Sequence, residues 1–381
     1  MQPRRTGVDP ENLIAEFMTL VSIGSPSRQE GHVAAYIRGV AEELGFEVEE
    51  DDAGVALGGD CGNLIVRVPG DERFATVLMM AHMDTVTPAM GINPIREGDR
   101  IRSDGTTVLG ADDKAGIAGL LHMLGVLSAT EETRPPLEIV FTVCEEVGLL
   151  GAKALDTSKL KAEFGFAFDS SGALGFAVAQ GPAQAKLKAV VHGRSAHAGV
   201  APEKGISAIV VAAEAITQLP LGRINAQTTA NIGKISGGQA TNIVCDRVEI
   251  FAEARSLSPD ELAMQRAAMS RVFEETAARH GVTVDLEWQD SYPGLTLHPG
   301  TPLRLIVEEA MNSLGITPHF GSTGGGSDAN VIAGKGIPVA NLAIGYQQIH
   351  TLDEWIATDD LVTAAELMLQ IVRQCAKSVK V

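Results

Sequence analysis

Several short runs of this chain are apolar almost without interruption, and they constrain the fold more than any other feature. They cover residues 63–68, 76–81, 137–144 and 165–168. A strand that is apolar at every position is buried on both faces, which happens when helices cover both sides of a sheet. Between and before these runs, apolar residues recur at helical spacing, most clearly over 12–20, 29–44 and 116–127. The alternation predicts a layered α/β fold.

The order of predicted strands and helices changes between residues 180 and 289. The pattern there predicts a β-α-β-β-α-β order, with strands at 183–192, 228–236, 241–254 and 282–288 and helices at 204–218 and 259–280. A chain of 381 residues exceeds the size at which one hydrophobic core stops growing. We therefore expect a domain at 180–289 inserted into a larger domain formed by 1–179 and 290–381. In the last part, a helix is predicted at 302–314, a strand at 338–344 and a helix from about 359.

The net charge limits the kinds of binding partner, and the positions of the cysteines limit the kinds of metal site. The formal net charge is −18, which disfavours nucleic acid and anionic lipid as partners. The longest nearly apolar run, 206–216, is too short for a membrane span, and no apolar stretch follows the basic start of the chain. We expect a soluble cytoplasmic protein. The four cysteines form no Cys-x-x-Cys pair, so a metal site would use nitrogen and oxygen ligands.

Acidic and imidazole side chains follow the predicted strands of the larger domain, where each strand ends. In open α/β sheets the functional crevice lies at the carboxyl ends of the strands. A glycine-flanked turn ahead of the predicted helix 116–127 adds one more carboxylate. The candidate metal ligands are His82, Asp112, Glu146, Asp169 and His350, accompanied by Glu145 and Asp84.

Carboxylates crowded at one edge of a sheet repel each other unless cations lie between them. A set of histidines and carboxylates without thiolates favours zinc, with cobalt or manganese as alternatives. A pair of such ions polarises a carbonyl and activates water, the chemistry of aminopeptidases and amidases. Glu145 would then stay off the ions and act as general base, while Asp84 would accept the second ring proton of His82.

Other interpretations remain open at this point. A single acidic residue at a strand end is more often a solvated loop residue, so the prediction depends on the joint pattern. The segment Gly324-Gly-Gly-Ser327-Asp-Ala partly matches a nucleophile elbow and would make Ser327 the nucleophile of a serine hydrolase. A metal-free interaction protein is a further alternative. His197 follows a strand of the inserted domain in a turn with neighbouring glycines, where a histidine is more often simply solvated.

Together these motifs resemble the M20 family of di-metal peptidases and amidohydrolases, and within it the peptidase T-like group. The resemblance is carried by Ala-His82-Met-Asp84-Thr-Val, Gly-Ala-Asp112-Asp-Lys-Ala-Gly, Cys-Glu145-Glu146-Val-Gly, Asp169-Ser-Ser-Gly and Ile-His350-Thr. It implies a zinc-peptidase-like catalytic domain with a mixed sheet covered by helices, and an inserted ferredoxin-like α+β domain that serves as lid and dimer interface. It also implies two ions bridged by Asp112, with His82 and Asp169 on one and Glu146 and His350 on the other.

The same resemblance implies roles in substrate binding. His197 would reach the active site of the partner in a homodimer and stabilise the tetrahedral oxyanion. Asn242 and Arg255 would hold the carboxylate end of the substrate, with help from Gly325, Gly326 and Ser327. The peptidase T-like motifs favour a di- or tripeptide with a free amino end, and an N-acyl amino acid is the alternative substrate in this family.

Overall fold

The structure is a computed structural model that describes residues 7–377. In this part of the chain, unit 1 consists of residues 7–179, 296–322 and 327–377, and unit 2 consists of Gln180–Leu295 with the loop Thr323–Gly326. Unit 2 extends beyond residue 289, the predicted end of the insert, because its last strand continues to Tyr292. Each unit has its own cluster of buried apolar side chains.

The elements are numbered here in chain order. The helices described are α1 (Pro10–Ser22), α2 (Gly31–Glu43), α3 (Ala53–Leu57), α4 (Ala111–Ser128), α5 (Leu150–Ala154), α6 (Ala208–Gln218), α7 (Pro259–Arg279), α8 (Pro302–Ser313), α9 (Asp328–Gly334) and α10 (Thr358–Cys375), with short 3-10 turns at Thr157–Lys159 and Pro202–Lys204. The strands are β1 (Glu47–Glu50), β2 (Leu64–Val68), β3 (Val77–His82), β4 (Ile95–Glu97), β5 (Arg100–Arg102), β6 (Leu137–Thr142), β7 (Phe164–Ser170), β8 (Phe176–Gly181), β9 (Ala183–His192), β10 (Gly222–Arg223), β11 (Thr228–Gly237), β12 (Arg247–Ser256), β13 (Val284–Tyr292), β14 (Leu295–Thr296), β15 (His319–Ser322), β16 (Val339–Ala343) and β17 (Trp355–Ala357).

Unit 1 is built on a mixed sheet with the strand order β1-β2-β6-β3-β7-β16-β8-β14, and β15 pairs with β8. The neighbours β6, β3, β7 and β16 run parallel, whereas β1, β2 and β8 pair antiparallel. Every residue of β3, β6 and β16 is buried, as expected for strands covered on both faces. The predicted α/β fold with a mixed sheet is confirmed.

Helix α4 lies in the core of unit 1, where it packs against α1, α10 and β3. After the charged first turn its residues are mostly apolar on every face, and most of them are buried, as expected for a helix in the core. The first turn is irregular: Gly110 is left-handed with φ 74°, and Asp112 and Asp113 have non-helical backbone angles. This irregular turn directs Asp112 toward the carboxyl ends of the strands.

Unit 2 contains an antiparallel sheet with the order β10-β11-β12-β9-β13. Its four long strands follow the β-α-β-β-α-β order of the ferredoxin-like arrangement. Besides the extended end of β13, the starts of two elements differ from the prediction by at least four residues. Helix α6 begins at Ala208, because Ser207 caps it through the Val210 amide. Strand β12 begins at Arg247, because the residues before it form a loop in which Ile243 pairs with His197.

In the described part of the chain, the helices are too short or too polar to cross a bilayer.

Candidate metal centre

The carboxyl ends of four neighbouring parallel strands bring the predicted ligands of unit 1 together. His82 is the last residue of β3, and Asp169 lies one residue before the end of β7. Glu145 and Glu146 follow β6, and His350 follows β16. Because β6, β3, β7 and β16 are successive neighbours, their exits lie side by side on one edge of the sheet.

The side chains form overlapping groups whose ligand atoms lie within 4.8 Å of one another. The groups are His82 with Asp112 and Asp169, His82 with Glu145 and Glu146, and Asp112 with Glu146 and His350. His82 Nε2 lies 3.2 Å from Asp112 Oδ1 and 3.8 Å from Asp169 Oδ1. His350 Nε2 lies 3.3 Å from Asp112 Oδ2 and 3.1 Å from Glu146 Oε1.

Asp112 occupies the centre of this arrangement, with one carboxylate oxygen toward each histidine. A carboxylate in this position has the geometry to bridge two cations. The backbone around it is held by Glu354, whose carboxylate accepts hydrogen bonds from Gly110 N at 2.7 Å and Asp112 N at 3.0 Å. Glu354 is buried and lies 242 residues from Asp112 in the chain, so no local sequence signal could have indicated it.

His82 is oriented by the residue two positions later. Its Nδ1 lies 2.9 Å from the main-chain oxygen of Asp84 and 3.6 Å from the Asp84 carboxylate. The proton on Nδ1 therefore goes to the carbonyl, which leaves Nε2 as a lone-pair donor. The carboxylate of Asp84, expected to accept this proton, instead accepts from Ser27 Oγ and from the amides of Glu145 and Glu146.

Asp169 is held by polar neighbours that the sequence did not indicate. Asn341 on β16 donates Nδ2 to the Asp169 carbonyl at 2.7 Å and accepts from the Asp169 amide at 3.1 Å. The hydroxyl of Tyr346 donates to Asp169 Oδ1 at 3.4 Å. These contacts fix both the backbone and the carboxylate of Asp169.

The electrostatics of the cluster fit a site for cations. Burial, reinforced by the charge of Asp169, raises the pKa of Glu145 well above its usual range. Burial also raises the pKa of Asp169. Hydrogen bonds that His350 donates to the carboxylates of Asp112 and Glu146 raise the pKa of His350 to about 10. Buried acids that resist ionisation beside an imidazole that retains its proton mark a cluster short of positive charge. Divalent cations would supply that charge, and histidine nitrogens with carboxylate oxygens are suitable ligands.

His197 and Asn242 lie in adjacent loops of unit 2. His197 pairs with Ile243 in an isolated bridge, and Ala198 N donates to the Asn242 carbonyl at 2.9 Å. The ring of His197 is exposed, and its Nδ1 accepts from the amides of Gly199 and Val200, both at 3.2 Å. An imidazole held in this way carries its proton on Nε2 and presents a fixed donor to solvent.

Arg255 and the loop 323–326 also lie in unit 2. Glu253 holds the Arg255 guanidinium through Nε at 2.9 Å and Nη2 at 3.1 Å, and Nη1 donates to the Gly324 carbonyl at 3.3 Å. A side chain at Gly326 would collide with the Tyr292 ring, so only glycine fits there. Gly325 is exposed beside it.

Ser327 lies in unit 1 and starts helix α9, where it forms a capping box with Asn330. Its side chain is buried, and its hydroxyl accepts from Asn341 Nδ2 at 2.9 Å. Within residues 7–377, none of the histidines hydrogen-bonds to it. The arrangement is that of a helix cap, and it lacks the neighbouring base that a nucleophilic serine needs.

The family to which the chain belongs is consistent with this fold and this cluster of ligands. The chain belongs to peptidase family M20/M25/M40, whose profile matches residues 78–374. It is therefore an M20 family peptidase, as the motifs predicted.

Individual relatives resemble the chain over nearly its full length. A crystal structure of aminopeptidase PepT from Bacillus cereus ATCC 10987 has a TM-score of 0.89 and 46% identity, covering 97% of this chain and 99% of that one. A crystal structure of a tripeptidase from Staphylococcus aureus subsp. aureus Mu50 has a TM-score of 0.92 and 37% identity, covering 97% and 100%. The YqjE protein of Bacillus subtilis strain 168 is 44% identical over 370 residues, which is 97% of this chain and 100% of that protein.

Proposed function

We propose that the chain is a di-metal aminopeptidase that hydrolyses di- or tripeptides with a free amino end. The observation that carries the proposal is the position of Asp112, whose two carboxylate oxygens face two different histidines. Further support comes from the relatives described above as an aminopeptidase and a tripeptidase, at 46% and 37% identity.

Two divalent ions, zinc first and cobalt or manganese as alternatives, fit the set of donors. His82 and Asp169 would hold one ion, Glu146 and His350 the other, and Asp112 would bridge them, in agreement with the groups of ligand atoms within 4.8 Å. When bound, such a pair of ions polarises the scissile carbonyl and lowers the pKa of water.

Glu145 acts as the general base. It accepts a proton from the attacking water and returns it to the nitrogen of the leaving amine, so that the amide C–N bond is replaced by a carboxylic acid and an amine. Glu145 is buried, and its amide donates to Asp84 Oδ1 at 2.8 Å, which fixes the backbone that carries the side chain. Asp84 supports both His82 and the Glu145-Glu146 pair, so it contributes by positioning.

Unit 2, together with Ser327 of unit 1, supplies the groups that recognise the substrate. Arg255, with Asn242, Gly325, Gly326 and Ser327, binds the carboxylate end of the peptide; the guanidinium is already oriented by Glu253. His197 donates its Nε2 proton to the developing oxyanion in the active site of the partner protomer. The amides of Gly199 and Val200 keep that tautomer in place.

The role of His197 requires a homodimer, with unit 2 as lid and interface. Exposed apolar side chains on unit 2 support an interface there; they include Val200, Ile209 and Val210 with exposures of 77%, 48% and 57%. Light scattering should give the mass of a dimer for the wild type, and Ile209→Glu/Val210→Glu should give monomers with little activity.

A substrate panel and one substitution test the proposal together. With zinc, cobalt or manganese, the enzyme should release the amino-terminal residue from tripeptides and leave N-acetylated amino acids intact. Glu145→Gln should bind two ions and lose about 10²–10⁴-fold in kcat. Normal turnover by this variant, or turnover that survives chelation but is lost in Ser327→Ala, would contradict the mechanism.

A further inference from the structure

Four consecutive backbone amides at the end of β6 donate to side chains from other elements of unit 1. This is the segment that carries Glu145 and Glu146. The amide cradle consists of Asn63, Glu30 and Asp84, which accept from Val143 N at 3.0 Å, Cys144 N at 2.9 Å, Glu145 N at 2.8 Å and Glu146 N at 3.1 Å. Side chains thus replace the ladder hydrogen bonds that a strand would have made here.

The backbone at the centre of this segment is in a disfavoured conformation. Cys144 has φ 54°, in the left-handed region that residues with a Cβ rarely adopt. It immediately precedes Glu145, so its backbone angles set the direction in which the Glu145 side chain leaves the strand. A local conformation of this kind persists only when surrounding contacts enforce it.

Glu30 provides that contact. It lies directly before α2 and is fully buried, and its Oε1 accepts from the Cys144 amide. Its second oxygen, Oε2, has no hydrogen-bond partner among the described residues. Burying a carboxylate with half of its hydrogen-bonding capacity unused is unfavourable. The position is therefore poorly explained by stability alone.

Asn63 extends the cradle by one residue. Its Oδ1 accepts from Val143 N, and its Nδ2 donates to the Gly151 carbonyl at 3.0 Å and to Asp51 at 2.7 Å. Gly151 N in turn donates to the Val143 carbonyl at 2.9 Å. These bonds join the two ends of the loop that follows β6, at Val143 and Gly151.

We propose that Glu30 is a positioning residue for the general base. By accepting from Cys144 N, it holds the left-handed turn that aims the Glu145 carboxylate, and Asn63 supports the same turn from the preceding residue. The inference rests on the proposed function, because it assigns to Glu145 the role of base.

Two substitutions separate hydrogen bonding from space filling. Glu30→Gln keeps an oxygen acceptor for Cys144 N, whereas Glu30→Leu fills the buried volume without one. We expect Glu30→Leu to lower kcat about 10–100-fold, by analogy with the range found for residues that orient metal ligands. KM and the content of two ions per chain should be unchanged, and Glu30→Gln should recover most of the lost kcat.

Glu138 provides a matched control at the other end of the same strand. It is also a buried glutamate, it pairs with Arg67, and it accepts from the amides of Lys161 and Ala162. Glu138→Leu should lower stability without changing kcat per folded enzyme. An equal loss of kcat in Glu138→Leu and Glu30→Leu would overturn the proposal.

The decisive measurement is the same substitution in a chain that lacks the base. If Glu30 acts through Glu145, Glu30→Leu should cause no further loss in the Glu145→Gln background. A full additional loss there would overturn the proposal, as would undiminished kcat in the single variant. If Glu30→Leu does not fold, Asn63→Leu takes its place: it should lower kcat alone and cause no further loss in the Glu145→Gln background. Wild-type activity of Glu145→Gln alone would instead refute the proposed function, so the two failures are distinguishable.

Discussion

At the scale of single residues, Asp112 has the most direct consequence for metal binding. Its two oxygens face His82 and His350 separately, so its loss should affect both ion sites, whereas loss of His350 should affect one. Asp112→Ala is expected to bind no ions and to lose at least about 100-fold in activity. His350→Ala should retain one ion per chain.

Elemental analysis of the purified variants, after dialysis against a metal-free buffer, measures this difference. Asn93, exposed at the surface and 3.5 Å from Asp104, offers a control, because Asn93→Ala should retain both ions. Two ions bound to Asp112→Ala would show that this carboxylate is not the bridge.

Glu16 on α1 gives a prediction for pH and stability away from the metal centre. Burial raises the pKa of Glu16 from 4.5 to about 7. Below pH 4.5 the group is protonated in both the folded and the unfolded chain and costs nothing. As the pH rises from 4.5 to about 7, ionisation increasingly favours the unfolded chain, and the full penalty is present above that range.

Glu16→Gln should therefore match the wild type near pH 4.5 and be more stable at pH 8 by about 1–3 kcal/mol. Urea unfolding at both pH values measures the free energy of unfolding. Glu43→Gln, at an exposed position of α2, is the control and should change stability at neither pH. A gain that is the same at both pH values would rule out ionisation of Glu16 as the cause.

At the scale of elements, helix α7 depends on its amino-terminal cap. The sequence Ser258-Pro259-Asp260-Glu261 begins the helix, and Ser258 Oγ accepts from the Glu261 amide at 3.4 Å. Ser258→Ala should destabilise unit 2 by about 1 kcal/mol, whereas Ser258→Asp should keep the stability of the wild type because aspartate also caps helices. Trp288 fluorescence during urea unfolding reports this, since its indole donates to Ser270 on α7 at 3.0 Å. Equal stability of the alanine and aspartate variants would contradict the cap.

The same scale shows what could be predicted from the sequence. Strands such as β3 and β6 were predicted because every residue in them is buried, and burial on both faces leaves a continuous apolar run. The candidate metal ligands were indicated because each of His82, Glu146 and Asp169 lies at or just beyond a strand end. Glu354 and Glu30 were not predicted, because each accepts from a backbone amide far away in the chain, 242 residues for Glu354 and 114 residues for Glu30. Such contacts leave no local pattern in the sequence.

At the scale of the whole molecule, the two units have separate hydrophobic cores, and the candidate ligands all belong to unit 1. A ligand that binds only folded protein stabilises the part it binds, by about 2.7 kcal/mol at a free concentration of 100 times Kd. Metal binding should therefore raise the thermal stability of unit 1 and leave that of unit 2 little changed.

The two tryptophans of the chain allow each unit to be followed alone, because Trp355 lies in unit 1 and Trp288 in unit 2. Trp288→Phe leaves Trp355 as the fluorescent reporter of unit 1, where the Arg100 guanidinium lies 4.1 Å from the centre of the Trp355 ring. Trp355→Phe leaves the unit 2 reporter. Chelation should lower the midpoint of thermal unfolding in the first variant and change it little in the second, and added zinc should reverse the effect. Equal shifts in both variants would mean that the units unfold as one, and no shift in either would mean that unit 1 holds no stabilising ion.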